Sequence, residues 1–148
     1  MSSKTYSKRS PGCYKTRMIS RLASCSCGKL TVRCQGEPIR VSMCHCLACQ
    51  QRTGSVFGAQ ARWPKAQVTI AGAATEWTRT GDEGGTLTHR FCPTCGATVY
   101  YTCDDFPDVI AVPVGAFADP TFPAPSFSVY EARKHSWVSV PAAAEHMD

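Results

Sequence analysis

Residues 44–49 read Cys44-His45-Cys46-Leu47-Ala48-Cys49, three thiols in six positions. Packing alone does not ask for them, because Val, Ile or Leu fill a core without oxidising. Sulfurs this close call for a soft cation. Zn²⁺ is the expected guest, since thiolates suit it and it has no redox chemistry of its own. The number three is informative as well. A closed structural site takes four protein ligands, whereas a reactive site often keeps three and leaves the fourth position to water or substrate.

Working outward, Cys25-Ser26-Cys27-Gly28 precedes the triplet and Cys92-Pro93-Thr94-Cys95-Gly96 follows it. The two pairs amount to four ligands, one complete tetrahedron. The simplest division of the seven sulfurs is therefore two Zn²⁺ sites per chain: Cys25, Cys27, Cys92 and Cys95 around one, and Cys44, Cys46 and Cys49 around the other. In CxC, sulfurs at i and i+2 fall on one side of an extended chain. Gly28 follows the second ligand, where a knuckle needs backbone freedom. If the middle site is closed, His89 and Cys103 are the candidates for its fourth protein ligand. His45 lies between two ligands but points away from them if the segment is extended.

The order CxCG, then CxCxxC, then FCxxCG resembles the glutathione-dependent formaldehyde-activating enzyme family, also called the CENP-V/GFA domain, over roughly residues 23–140. Gly28-Lys29-Leu30, Arg52-Thr53-Gly54-Ser55 and Phe91 before Cys92 look like family positions too. The resemblance implies a β-tent fold, an arrangement of β-sheets held by zinc. It implies a structural zinc on the outer pairs and a catalytic zinc on Cys44, Cys46 and Cys49. It also implies a carbon–sulfur lyase: the sulfur of glutathione joins formaldehyde to give S-hydroxymethylglutathione, and the reverse reaction cleaves that bond.

The chemistry of the triplet agrees with a thiol substrate. Three thiolates around Zn²⁺ leave a net charge of −1, poorly suited to making hydroxide and better suited to a soft incoming thiolate. The alternative is a non-catalytic zinc module that binds a protein partner or carries a small thiol, since no general base stands out. Arg52 either neutralises charge near the site or is a solvated surface residue. His45 either moves a proton or is a simple loop histidine. The glutathione contacts have no signature in the sequence.

At 148 residues the chain suits one domain with its own core. The expected division is a disordered basic leader (1–21), a zinc domain (22–141) and a short tail (142–148). Lys4, Lys8, Arg9, Lys15, Arg17 and Arg21 make the leader basic with no acid, while the rest carries ten basic and eleven acidic residues. Seven thiolates and two Zn²⁺ would leave that body mildly acidic, which argues against a nucleic-acid-binding face. Ten cysteines in a secreted chain would read as disulfides. These spacings chelate better than they bridge, so the expected compartment is the reducing cytoplasm. No stretch has the length of a membrane span or the apolar core of a signal peptide. Cys13 has no assigned role.

Elsewhere the pattern is of short strands. Leu30–Cys34 alternates, with Val32 and Cys34 on one face and Cys34 as a small buried hydrophobe. Strands are expected over 39–43, 56–63, 67–71, 75–79, 86–91, 97–103, 109–114, 127–133 and 136–140. A short helical turn or loop is expected over 50–55, and turns at 81–85 and 104–108. Pro113 predicts an edge or a bulge. Three prolines in 119–125 predict a draped loop. Trp63, Trp77 and Trp137 are expected in the core, Cys103 is expected as a buried thiol, and Phe91 is expected to pack beneath the first zinc. No long helical period is present, so the fold class is mainly β.

Overall fold

The computed structural model describes residues 19–147. Cys13 and most of the basic leader lie outside the described residues. The strands are β1 (Ser20–Ser24), β2 (Thr31–Gln35), β3 (Arg40–Cys44), β4 (Gly58–Pro64), β5 (Val68–Ala71), β6 (Thr75–Thr80), β7 (Thr86–Phe91), β8 (Thr98–Cys103), β9 (Phe106–Pro113), β10 (Phe127–Val129) and β11 (Glu145–Met147). One helix, α1 (Leu47–Thr53), stands between β3 and β4. The protein is mainly β, a single domain of two open sheets. The smaller has the order β1-β2-β5 and the larger β11-β10-β3-β4-β9-β8-β7-β6. No helix among the described residues is long and apolar enough to cross a membrane.

The period-2 pattern explains how the sheets meet. Val32 and Cys34 are fully buried while Arg33 between them is exposed, so β2 turns one face inward. That face packs with Ala23 of β1 against Ala61, Trp63, Val99, Ile110 and Val112 of the larger sheet. Burial pushes the Cys34 thiol up to about 12, which keeps it protonated and inert. Trp63 is fully buried. Its ring meets Phe117 at 5.5 Å and Phe122 at 6.4 Å. Its Nε1–H donates to the carbonyl of Gly36 at 3.0 Å, tying β4 to the end of β2. The proline-rich loop thus delivers Phe122 to the core.

Residues 114–126 carry the chain from the end of β9 back to β3, and β10 runs parallel to β3, as β11 does to β10. The other pairs are antiparallel. The tip of the β6–β7 hairpin and the segment after β10 come from near opposite ends of the larger sheet, yet they touch. Tyr130 Oη donates to Glu83 Oε1 at 3.1 Å, and Arg133 Nη1 lies 3.7 Å from Asp82 Oδ2. The sheet is therefore curled around a cavity.

Several expectations are corrected. Residues 136–140 form a turn and irregular chain, not a strand; Val138 alone of that segment is buried. Trp77 and Trp137 are 54% and 72% exposed, so only Trp63 is core. Strand β1 begins at Ser20, inside the stretch read as leader, and the tail supplies β11. Strand β9 starts at Phe106, within the expected 104–108 turn, and is an interior strand. Pro113 ends it and leads into a 3₁₀ turn at Val114–Phe117, so its missing N–H costs the ladder little. The helix begins three residues before the expected turn, because Cys46 caps it.

Candidate metal centres and the adjoining cavity

Two tight turns build the first centre. After β1, the N–H of Cys25 donates to the carbonyl of Leu30 at 2.9 Å, and the N–H of Gly28 to that of Cys25 at 3.1 Å. After β7, Cys92 and Gly96 repeat the pattern, with Cys92 N–H on Ala97 O and Gly96 N–H on Cys92 O. Gly28 and Gly96 take φ of 82° and 77°, the left-handed region where glycine carries no Cβ penalty. Backbone N–H groups then turn toward sulfur: Leu30 N–H to Cys25 Sγ at 3.2 Å and Thr94 N–H to Cys92 Sγ at 3.4 Å. Such donors favour thiolate. The Cys95 thiol is drawn down to about 6, chiefly by the N–H of Ala97.

The four sulfurs of Cys25, Cys27, Cys92 and Cys95 lie within 4.8 Å of one another. Cys25 Sγ is 3.7 Å from Cys27 Sγ, and Cys27 Sγ is 3.6 Å from Cys92 Sγ. A Zn–S bond of about 2.3 Å puts the edges of a tetrahedron at about 3.8 Å, so this cage fits Zn²⁺. Phe91 is half-buried beside it.

The second centre sits where β3 becomes α1. Cys44 ends the strand, Cys46 is the N-cap with extended backbone (φ −62°, ψ 151°), and Cys49 lies in the first turn. Cys46 Sγ accepts the N–H of Cys49 at 3.3 Å, a thiol in the place of the usual Ser or Asp cap. The three sulfurs are buried and lie within 4.8 Å of one another. Without a cation they titrate together. Hydrogen bonds with Cys44 and Cys49 draw the Cys46 thiol down, while those with Cys46 and Cys49, and then burial, push Cys44 up. A divalent cation at the centre would let all three ionise. The donor set fits Zn²⁺ with one position left over.

Gly58 makes room for this cluster. It pairs with Cys44 across the β3–β4 ladder. A Cβ there would stand 3.3 Å from Cys49 Cβ, 3.5 Å from Cys49 Sγ and 3.2 Å from Arg52 Nη2. Arg52 is half-buried, with its guanidinium 5.8 Å from the Tyr101 ring centroid; the reading of a solvated arginine is corrected. His45 is buried and turned away from the thiols. Its Nε2 lies 3.0 Å from Ser128 Oγ, and burial lowers its pKa. It is therefore neither a loop histidine in water nor a group facing the centre.

His89 and Cys103 do not complete the ligand set. Neither joins the three sulfurs in a ligand cluster. His89 is buried between the rings of Trp77 (5.9 Å) and Tyr101 (5.0 Å), with both ring nitrogens unpartnered. Cys103 is half-buried, not a core thiol, and lines the cavity.

That cavity, about 200 Å³, has Cys44, Cys46 and Cys49 in its wall. Arg62 and Arg79 bring positive charge to it, Asp82, Glu83 and Asp105 bring negative charge, and Gln60, Tyr101 and Tyr130 bring polar groups. Burial pushes the Tyr101 hydroxyl up, so it stays protonated. Tyr130 holds a left-handed backbone (φ 57°), unusual for a bulky residue and retained where surroundings enforce it. The sequence reading missed all of these cavity residues. The available signal was the alternation Gly58, Gln60, Arg62 on one face of β4.

The profile of the family described as glutathione-dependent formaldehyde-activating enzyme matches residues 20–133. No match to a curated protein is found. Among solved structures, a Rhodobacter sphaeroides protein superposes with a TM-score of 0.52 and 21% identity, covering 67% of this chain and 91% of that one. At that identity the likeness speaks for the fold alone.

Proposed function

Because the chain belongs to the glutathione-dependent formaldehyde-activating enzyme family, we propose that it is a zinc-dependent carbon–sulfur lyase-like enzyme. It joins or cleaves the adduct of a glutathione-type thiol with a small aldehyde. Cys25, Cys27, Cys92 and Cys95 hold a structural zinc; Cys44, Cys46 and Cys49 hold the zinc at which the thiol enters. One observation carries this reading: three buried thiols in a cavity wall with no further Cys, His, Asp or Glu in their cluster among the described residues. A purely structural site would be expected to close its fourth position.

When bound there, Zn²⁺ supplies a position that takes a soft sulfur ligand as thiolate. The chain's own residues do the rest. Arg62 and Arg79 attract the carboxylates of a glutathione-type thiol, and Asp82, Glu83 and Asp105 its ammonium group. The curled sheet holds the two reactants together and limits water, and proximity is the main catalytic contribution. In the addition a C–S bond forms, the carbonyl π bond breaks, and the thiol proton ends on the new hydroxyl oxygen. The reducing compartment expected from the sequence suits nine described cysteines that are all free.

Exchange NMR among formaldehyde, glutathione and S-hydroxymethylglutathione tests the proposal. The expected result is faster exchange with protein than in buffer, lost in Cys46→Ser while the first centre keeps its metal. An exchange rate equal to that of buffer would remove the activity and leave thiol carriage or partner binding.

A further inference from the structure

Gln60 follows Gly58 on the same face of β4, with Arg62 next, and both longer side chains line the cavity. Gln60 is 4% exposed, and its Oε1 has no hydrogen-bond partner among the described residues. An unsatisfied buried acceptor costs about 1–3 kcal/mol, so a position that needed only filling would carry Leu or Met. Gly58 pairs with Cys44, which sets Gln60 about 7 Å along the strand from the cysteine end. That is within reach of a short substituent on a sulfur seated at the three thiols. The adduct of a thiol with an aldehyde carries a hydroxyl one carbon from its sulfur, a neutral donor at that range.

We propose that Gln60 Oε1 accepts a hydrogen bond from the hydroxyl of a hydroxyalkyl sulfur ligand bound at the Cys44–Cys46–Cys49 centre. The cavity thereby selects hydroxyl-bearing thiols and thioethers over their alkyl counterparts. This rests on the preceding reading that a thiol enters at that centre, and it adds a residue that recognises the hydroxyl formed by aldehyde addition.

The test uses protein loaded with Co²⁺, whose thiolate-to-cobalt absorption reports sulfur binding without any turnover. Affinities for 2-mercaptoethanol and for 1-propanethiol, which has a methyl in place of the hydroxyl, give a ratio for each variant. Differences in thiol acidity cancel between variants. The ratio favouring 2-mercaptoethanol is expected to be about tenfold larger in the wild type than in Gln60→Met. Gln60→Glu, which keeps an acceptor, is expected to retain the preference. Equal ratios in wild type and Gln60→Met, or loss of preference in Gln60→Glu, would overturn the proposal alone. So would a changed cobalt spectrum in Gln60→Met before thiol is added, since the amide would then act on the metal. Failure of every thiol to bind would overturn it together with the reading it rests on.

Discussion

Gly58 shows how much one missing methyl group can decide. Its backbone is ordinary for a strand, so the residue matters for space and not for conformation. Gly58→Ala would restrict the unfolded chain and so stabilise by about 0.4–1 kcal/mol. The new Cβ would press on Cys49 and Arg52 at 3.2–3.5 Å, an overpacking cost of about 1–3 kcal/mol. The cost outweighs the gain, so denaturant unfolding should show a net loss on the order of 1 kcal/mol. Metal affinity should not escape, because displacing a support of a ligand typically costs about tenfold or more. The expected outcome is about tenfold weaker binding at the second centre with the first unchanged, read by metal analysis against a competing chelator. His89 offers a second residue-scale test. Burial first, then Arg52 and Arg79, lowers its pKa to about 4. In the unfolded chain it would titrate near 6.5. Between those values the unfolded state binds more protons, so stability falls as pH falls from about 6.5 to 4. His89→Phe keeps a ring between Trp77 and Tyr101 and removes two unpartnered nitrogens. It should be at least as stable at pH 7 and show a shallower loss of stability across that window in urea titrations; an unchanged slope would contradict this account.

Strands were largely legible because alternation is local: β7 falls on residues 86–91 as read, and β2 presents the expected face. What failed depended on distant partners. Nothing within residues 136–140 says that no neighbouring strand awaits them, and nothing within 145–147 says that β10 does. The ligand cysteines were readable because chelation leaves a spacing. The cavity lining was not, because Gln60, Arg62, Arg79 and Tyr101 meet only after β4, β6 and β8 are laid into one curled sheet. Trp77 and Trp137 illustrate the same limit, since a large ring carries no label for which side of a strand or turn meets solvent. Trp63 tests the inter-sheet contact directly. Trp63→Phe would leave the Gly36 carbonyl without its donor and open space beside Phe117 and Phe122. Hydrogen-bond and cavity terms together predict a loss of about 2–4 kcal/mol, measurable by denaturant unfolding. An effect below about 1 kcal/mol would mean that the two sheets do not rely on this residue.

At the scale of the whole molecule, the proposed roles divide the labour of the two centres between folding and chemistry. The first ties the β1–β2 turn to the β7–β8 turn, joining the small sheet to the large one across residues 25–95. A structural zinc is worth about 10–16 kcal/mol in small zinc-binding peptides. A domain of this kind is stable by only about 5–15 kcal/mol in all. Losing that ion therefore removes as much free energy as the fold possesses. The second centre joins residues only five positions apart, so its ion closes no long loop and adds little to folding. It also offers one protein ligand fewer. Graded chelation should then proceed in two stages. The ion of the Cys44–Cys46–Cys49 centre should leave first, with near-native circular dichroism and with loss of thiol binding; that of the four-cysteine centre should follow, together with cooperative unfolding. Cys44→Ser should erase the first stage and keep the second, whereas Cys92→Ser should yield a chain that does not fold at 37 °C whatever the zinc supply. Simultaneous loss of both ions, or a stable fold in Cys92→Ser, would show that this division does not hold.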